Sequence, residues 1–202
     1  MSIRGFLFDM GGVLCRVDES AAWRAWQQHT GLPAETLQEE LFGRGLKHEF
    51  DTGMKQPAGV ALFLATRFEI GLSHDDWKRI WGASVAADPE MDALALQLAQ
   101  LAPTALASNT DPVHHAIMQS QLRCLKHFRE QVVSYKIYAA KPDKRFYERA
   151  VSALGFEAHE TLFIDDLAEN VAGAIESGLN AIQFTGIDKL REDLSKRGID
   201  MP

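Results

Sequence analysis

Two cysteines in 202 residues set the first limit. Cys15 and Cys124 lie far apart and lack the close spacing of a zinc site, so neither a disulfide framework nor a thiolate metal centre is expected, and the chain reads as reduced and cytoplasmic. Basic charge is also scarce: 21 Lys and Arg face 28 Asp and Glu, for a net charge of -7. Nucleic acid and anionic membranes favour basic surfaces, so neither is expected as a partner, and any attraction for a phosphorylated ligand has to be local. No run approaches the roughly 18 apolar residues of a membrane helix. The apolar stretch near the N-terminus is broken by Asp9, too early for a secretory signal. Internal repeats and low-complexity segments are absent. The remainder is ordinary globular composition, 46% hydrophobic and 24% charged, in a chain long enough to bury a good core.

Two kinds of pattern succeed each other along the chain. From about Ser20 to Val85 only helical periods occur. Trp23, Trp26 and Thr30 line a helix ending at Gly31, Pro33 opens one bearing Leu37 and Leu41, and a third starts near Pro57 with Val60, Leu64 and Phe68. Ser73 and Asp76 form a capping box ahead of Trp77, Ile80, Trp81 and Val85. These helices predict a small bundle whose tryptophans are core residues. From Asp88-Pro89 onward helices and strands alternate. Strands are expected at Thr104 to Ala107, Gln131 to Ser134, Thr161 to Ile164 and Ala181 to Phe184; helices run from Asp111-Pro112 towards Phe128, from Pro142 to Gly155, and through Val171, Ala174 and Ile175 to Gly178.

Such alternation predicts an α/β fold, a Rossmann-like parallel sheet with helices on both faces. The first strand, Gly5 to Phe8, precedes the helical region and the others follow it. The helical region is thus an insertion, with a core domain of 1–15 and 87–202 and an inserted α-helical cap of 16–86.

Chemistry-bearing residues stand at the strand ends. Asp9 follows the first strand, Ser108-Asn109-Thr110 the second, Lys141-Pro142 lies after the third, and Asp165-Asp166 follow the fourth. Singly, Asp9 reads equally well as a helix cap. In a parallel sheet, however, these ends converge on one edge, where a carboxylate, a hydroxyl beside free N–H groups, an ammonium and an acidic pair can bind Mg²⁺ and phosphate together.

The segments Phe8-Asp9-Met10-Gly11-Gly12-Val13, Ala107-Ser108-Asn109-Thr110, Lys141-Pro142-Asp143 and Phe163 to Asn170, in that order around a helical insertion, resemble the haloacid dehalogenase superfamily over nearly the whole chain. They are most similar to the branch containing bacterial alpha-D-glucose-1-phosphate phosphatase and the N-terminal domain of mammalian soluble epoxide hydrolase. The resemblance implies a Mg²⁺-dependent phosphatase acting on a small phosphorylated substrate. Asp9 would be the covalent nucleophile. Asp9, Asp166 and the Gly11 carbonyl would hold Mg²⁺; Ser108 and the Asn109 N–H would bind phosphoryl oxygens; Lys141 would bridge Asp9 and phosphate, with Asp165 orienting Lys141 or a metal-bound water.

One position departs from the family pattern. Most of its phosphatases carry a second aspartate two residues after the nucleophile as general acid and base, and here Gly11 stands there. The branch resembled also has glycine at this place. The gap implies a slow enzyme, an easily expelled leaving group such as the anomeric oxygen of a sugar 1-phosphate, or a proton donor from elsewhere, for which His48, Glu49 and His114 are candidates. Two alternatives stand beside the phosphatase: a metal-independent 2-haloacid dehalogenase, against which Asp165-Asp166 argue, and a phosphosugar-binding protein without turnover.

Overall fold

A computed structural model describes residues 3–199. Its centre is a five-stranded sheet in the order β5-β4-β1-β6-β7, formed by β1 (Gly5–Phe8), β4 (Thr104–Ser108), β5 (Glu130–Val133), β6 (Thr161–Asp165) and β7 (Asn180–Gln183). All four pairings are parallel. The expected α/β architecture is therefore present, with the strand that precedes the insertion at its middle.

Alternation along the strands divides the core between two faces. Phe6, Phe8, Leu106, Leu162 and Ile164 pack against α6 (Pro89–Leu101), α7 (Pro112–Gln121) and α11 (Ile187–Ser195). Leu7, Ala105, Ala107 and Phe163 pack against α9 (Lys144–Leu154) and α10 (Ala168–Glu176). With both faces covered, β1, β4 and β6 are buried along their whole length. This explains their nearly unbroken apolar runs.

Between β1 and β4 the chain makes α1 (Glu19–Thr30), α2 (Ala34–Gln38), α3 (Leu46–Asp51), α4 (Pro57–Phe68) and α5 (His74–Gly82). They enclose their own apolar cluster, in which Trp26, Trp77 and Trp81 are fully buried. Ser73 and Asp76 form the expected reciprocal capping box of α5. Polar contacts join this helical layer to the sheet domain, among them the following. Trp81 Nε1 donates to Asp111 Oδ2 at 2.8 Å, and the Ser134 hydroxyl donates to the Asp51 carbonyl at 2.6 Å while accepting from Thr110 N–H at 2.9 Å.

Several boundaries differ from the sequence reading. Val85 does not continue α5: the helix stops at Gly82, and Val85 enters β3 (Val85–Ala87), which pairs antiparallel with β2 (Cys15–Val17). This ribbon carries the chain into and out of the helical layer. The expected boundaries at 15/16 and 86/87 fall within it. The helix opened by Pro112 ends at Gln121 rather than near Phe128, because the chain turns extended at Leu122 and then forms a short 3₁₀ turn, Cys124–Lys126. The next helix begins at Lys144, not Pro142, with the Asp143 carboxylate accepting from Arg145 N–H at its N-cap. Helices α3 and α8 (Ser134–Ile137) had no sequence counterpart.

Candidate active site

The register explains how distant segments meet. Phe8 lies opposite both Leu106 and Ile164, so Asp9, Ser108 and Asp165 emerge together at the carboxyl edge of three adjacent strands. Asp9 is fixed there by its own N–H, which donates to the Ile164 carbonyl at 2.9 Å.

Lys141 reaches this edge from the loop after α8. Its ammonium is fully buried, 2.6 Å from Asp165 Oδ2 and 2.9 Å from Asp9 Oδ1. Asp165 is a saturated acceptor. One or both of its oxygens also receive the Leu167 N–H at 2.9 Å and the Asn170 amide at 3.0 and 3.1 Å. Of the two roles expected for Asp165, orienting Lys141 or a metal-bound water, the structure shows its Oδ2 accepting from the Lys141 ammonium. Asn109 holds the other end of the same lysine: its amide donates to the Lys141 carbonyl at 2.9 Å and accepts the Lys141 N–H at 2.8 Å. Neither the Asn109 clasp nor the Asn170 support was foreseen, since both are side-chain bonds between segments remote in sequence.

Electrostatics single out Asp9. Burial, reinforced by the Asp165 charge, pushes its carboxyl up to about 6 against the pull of Lys141 and Ser108. Its Oδ1, although beside the Lys141 ammonium, has no well-aligned hydrogen bond. Asp166, half-buried, is likewise raised by burial and by Asp165. Burial opposes the charged form of Lys141, but the flanking Asp9 and Asp165 carboxylates outweigh it and raise its pKa.

The donor set fits a hard cation. One oxygen from each of Asp9, Asp165 and Asp166 lies within 4.8 Å of the others. With Asp165 committed to Lys141 and its other donors, Asp9 and Asp166 are the carboxylates left to accept a divalent ion. The Gly11-Gly12 loop presses against them. A Cβ on Gly12, whose φ is +76°, would fall 2.2 Å from Asp166 Oδ2, so only glycine allows this approach. Around Asp9 the N–H groups of Met10, Gly11 and Asn109 donate to no described residue. All three residues line the small cavity next to the site, and free N–H groups there are suited to anionic oxygens. Of these the sequence reading named only Asn109.

The three expected proton donors stand in different relations to this site. Glu49 pairs with Lys55 at 3.1 Å and faces a different depression, beside Phe63 and Arg67. His48 lines a cavity of about 580 Å³ that Asn109 and Lys141 also line, so it shares a cavity with the site, and none of its side-chain atoms is hydrogen-bonded to a described residue. His114 lies against the site but is locked: its ring stacks on Trp81 at 4.7 Å, Nε2 meets Ser84 Oγ at 3.0 Å and the Trp81 carbonyl at 3.1 Å, and Nδ1 is 3.1 Å from Asp111 Oδ2. Trp81, expected to be core, is buried and also lines the small cavity at the site.

A buried aspartate at a parallel strand end, ion-paired to a buried lysine and beside the acidic pair Asp165-Asp166, is an arrangement suited to hydrolytic chemistry at a sheet edge. Residues 3–178 match the haloacid dehalogenase-like hydrolases, and the chain belongs to that family. A phosphatase of Mycobacterium tuberculosis is 32% identical over 209 residues, covering 98% of this chain and 96% of that protein. Flavin mononucleotide hydrolase 1 of Arabidopsis thaliana, a chloroplast protein, is 34% identical over 90 residues, which are 45% of this chain and only 37% of that relative. Among solved structures, a family enzyme of Bacteroides thetaiotaomicron in complex with magnesium and inorganic phosphate superposes with a TM-score of 0.81 at 21% identity, over 90% of this chain and 94% of that one. Among the described residues no helix is long and apolar enough to cross a membrane.

Proposed function

We propose that this hydrolase is a Mg²⁺-dependent phosphatase that cleaves a small phosphate monoester through an aspartyl-phosphate on Asp9. The carrying observation is the buried Lys141 ion-paired between Asp9 and Asp165, with an oxygen of Asp9 within 4.8 Å of oxygens of Asp165 and Asp166. The near full-length relative named as a phosphatase, and the magnesium and phosphate held by a protein of the same fold, support it.

In this reading Asp9, Asp166 and the Gly11 carbonyl hold the ion. Bound there, Mg²⁺ supplies positive charge that keeps Asp9 ionised and offsets the charge of the phosphoryl group. The free N–H groups of Met10, Gly11 and Asn109, with the Ser108 hydroxyl, receive the phosphoryl oxygens. Lys141 bridges Asp9 and the transferring group, and Asp165 and Asn109 fix where that ammonium sits. Catalysis is then chiefly positioning and electrostatic stabilisation, as phosphoryl transfer requires. The inserted helices, residues 16–86, act as the cap that selects the substrate.

The small cavity of about 110 Å³ beside Gly11 suits a compact leaving group, since drug-sized ligands occupy roughly 300–1,000 Å³. A sugar phosphate such as glucose 1-phosphate fits this cavity, while the cavity of about 580 Å³ lined by Asn109 and Lys141 has room for a larger ester, which is why the panel spans both. The test is a panel of aryl, sugar and nucleotide phosphates assayed with Mg²⁺ and with chelator. Mg²⁺-dependent phosphate release is expected. Halide release from a 2-haloacid without Mg²⁺, or binding of phosphosugars with no turnover, would replace this reading.

A further inference from the structure

We propose that Glu19 is the proton donor to the leaving oxygen, standing in for the side chain that Gly11 lacks. The assignment rests on the phosphatase reading above. An alkyl leaving oxygen needs a proton as its bond to phosphorus breaks, and a positioned general acid is typically worth ~10²–10⁴-fold.

The geometry shows where such a donor has to come from. A Cβ on Gly11 would point at Val17, 3.4 Å from its Cγ2. Gly11, Val17 and Glu19 line one cavity, that of about 110 Å³. The ribbon strand β2 thus passes over the space a longer residue 11 would fill, and the first residue of the helix that follows supplies the cavity's carboxylate. No other Asp or Glu lines it. The Glu19 side chain makes no hydrogen bond or ion pair with any described residue, whereas neighbouring Asp18 is tied to Ser20 and Arg24. Asp18 N–H also donates to the Ser84 carbonyl at 2.7 Å, which pins the start of α1 against β3 and fixes where Glu19 stands.

The remaining polar side chains of the cavity are poorer donors. His114 has both nitrogens engaged, and Lys47 is paired with Asp51. Burial pushes the Cys15 thiol up to about 12.

The step balances as follows. An Asp9 oxygen bonds to phosphorus, the bond from phosphorus to the leaving oxygen breaks, and the Glu19 carboxyl proton passes to that oxygen, releasing the alcohol. The resulting Glu19 carboxylate takes a proton from the water that attacks the phosphorus of the aspartyl-phosphate. Inorganic phosphate leaves, Asp9 is free, and Glu19 is protonated again.

The experiment measures kcat/KM, which reports formation of the phosphoenzyme, for a series of aryl and alkyl phosphates with Mg²⁺. Wild type, Glu19→Gln, Glu19→Asp and Glu19→Gln combined with Gly11→Asp are compared. Glu19→Gln should lower kcat/KM for alkyl esters about 100-fold or more and for aryl esters less than about 10-fold. Glu19→Asp should recover part of the alkyl loss, and adding Gly11→Asp should restore alkyl turnover. An equal loss on both ester classes, or none on either, overturns the assignment of Glu19 while leaving the phosphatase intact. A wild type that cleaves neither class overturns the phosphatase reading itself.

Discussion

Lys141 Nζ sits 2.6 Å from Asp165 Oδ2, both groups fully buried, and this pair aims the ammonium at Asp9. Removing one partner of a buried ion pair typically costs about 3–5 kcal/mol, because the other charge is left uncompensated. Lys141→Met should therefore destabilise the protein by roughly that much at neutral pH, where two buried carboxylates face each other. Much of the loss should return at acid pH as Asp9 takes up a proton. Denaturant melts of the two proteins at both pH values check this.

The Asn109 amide clasp makes a second, separable prediction. Asn109 is itself exposed, so Asn109→Ala should cost only about 1 kcal/mol of stability. The loop carrying Lys141 loses both bonds, however, and kcat should fall at least about tenfold with little change in KM, as expected when only positioning for the reaction is lost. Steady-state kinetics beside a melt distinguish this from general destabilisation.

Adjacent glycines should behave in opposite ways. Gly11 lies outside the left-handed region, and a Cβ there meets only Val17 at 3.4 Å. Gly11→Ala should be tolerated within about 1 kcal/mol. Gly12 has φ +76°, and its Cβ would strike the Asp166 carboxylate. Gly12→Ala should displace Asp166 and raise the Mg²⁺ concentration needed for half-maximal activity about tenfold or more. Equal Mg²⁺ requirements in the two variants would contradict the placement of the ion.

Asp9 also shapes the pH dependence of stability. Its folded pKa is about 6 against 3.8 in a free side chain, so between these values the folded state holds the proton that the unfolded state has lost. Stability from this group is full below pH 3.8 and declines as pH rises through 6. Asp9→Asn removes the effect. In chelator, the variant's stability relative to wild type should rise with pH across that window, reaching at most about 3 kcal/mol. A difference that stays flat from pH 4 to 7 refutes the buried-carboxylate account of Asp9.

Asp9, Ser108, Asp165 and Asp166 could be placed at one edge from the sequence because each closes or directly follows an apolar strand, and Lys141 because it lies in the connection after another strand of the same parallel sheet. The helical insertion was legible from its period. What was hidden depends on contacts between remote segments. Cys15 to Val17 and Val85 to Ala87 are strands of three residues, too short to show alternation, and they pair across the whole insertion. Asn109 and Asn170 act through side-chain amides whose partners only the fold reveals. Glu49, plausible as a donor by type, was turned elsewhere by α3, a helix with no clear signal of its own, whereas His48 on the same helix lines a cavity shared with Asn109 and Lys141.

The central claim is that Asp9 carries the phosphoryl group. Wild-type protein mixed with an aryl phosphate and Mg²⁺, quenched in acid and digested, can be searched by mass spectrometry for an acyl phosphate. The account predicts that label on the peptide containing Asp9, and its absence in chelator and in Asp9→Asn. Ester hydrolysis at full rate by Asp9→Asn, or a phosphoryl label on any other residue, would contradict it.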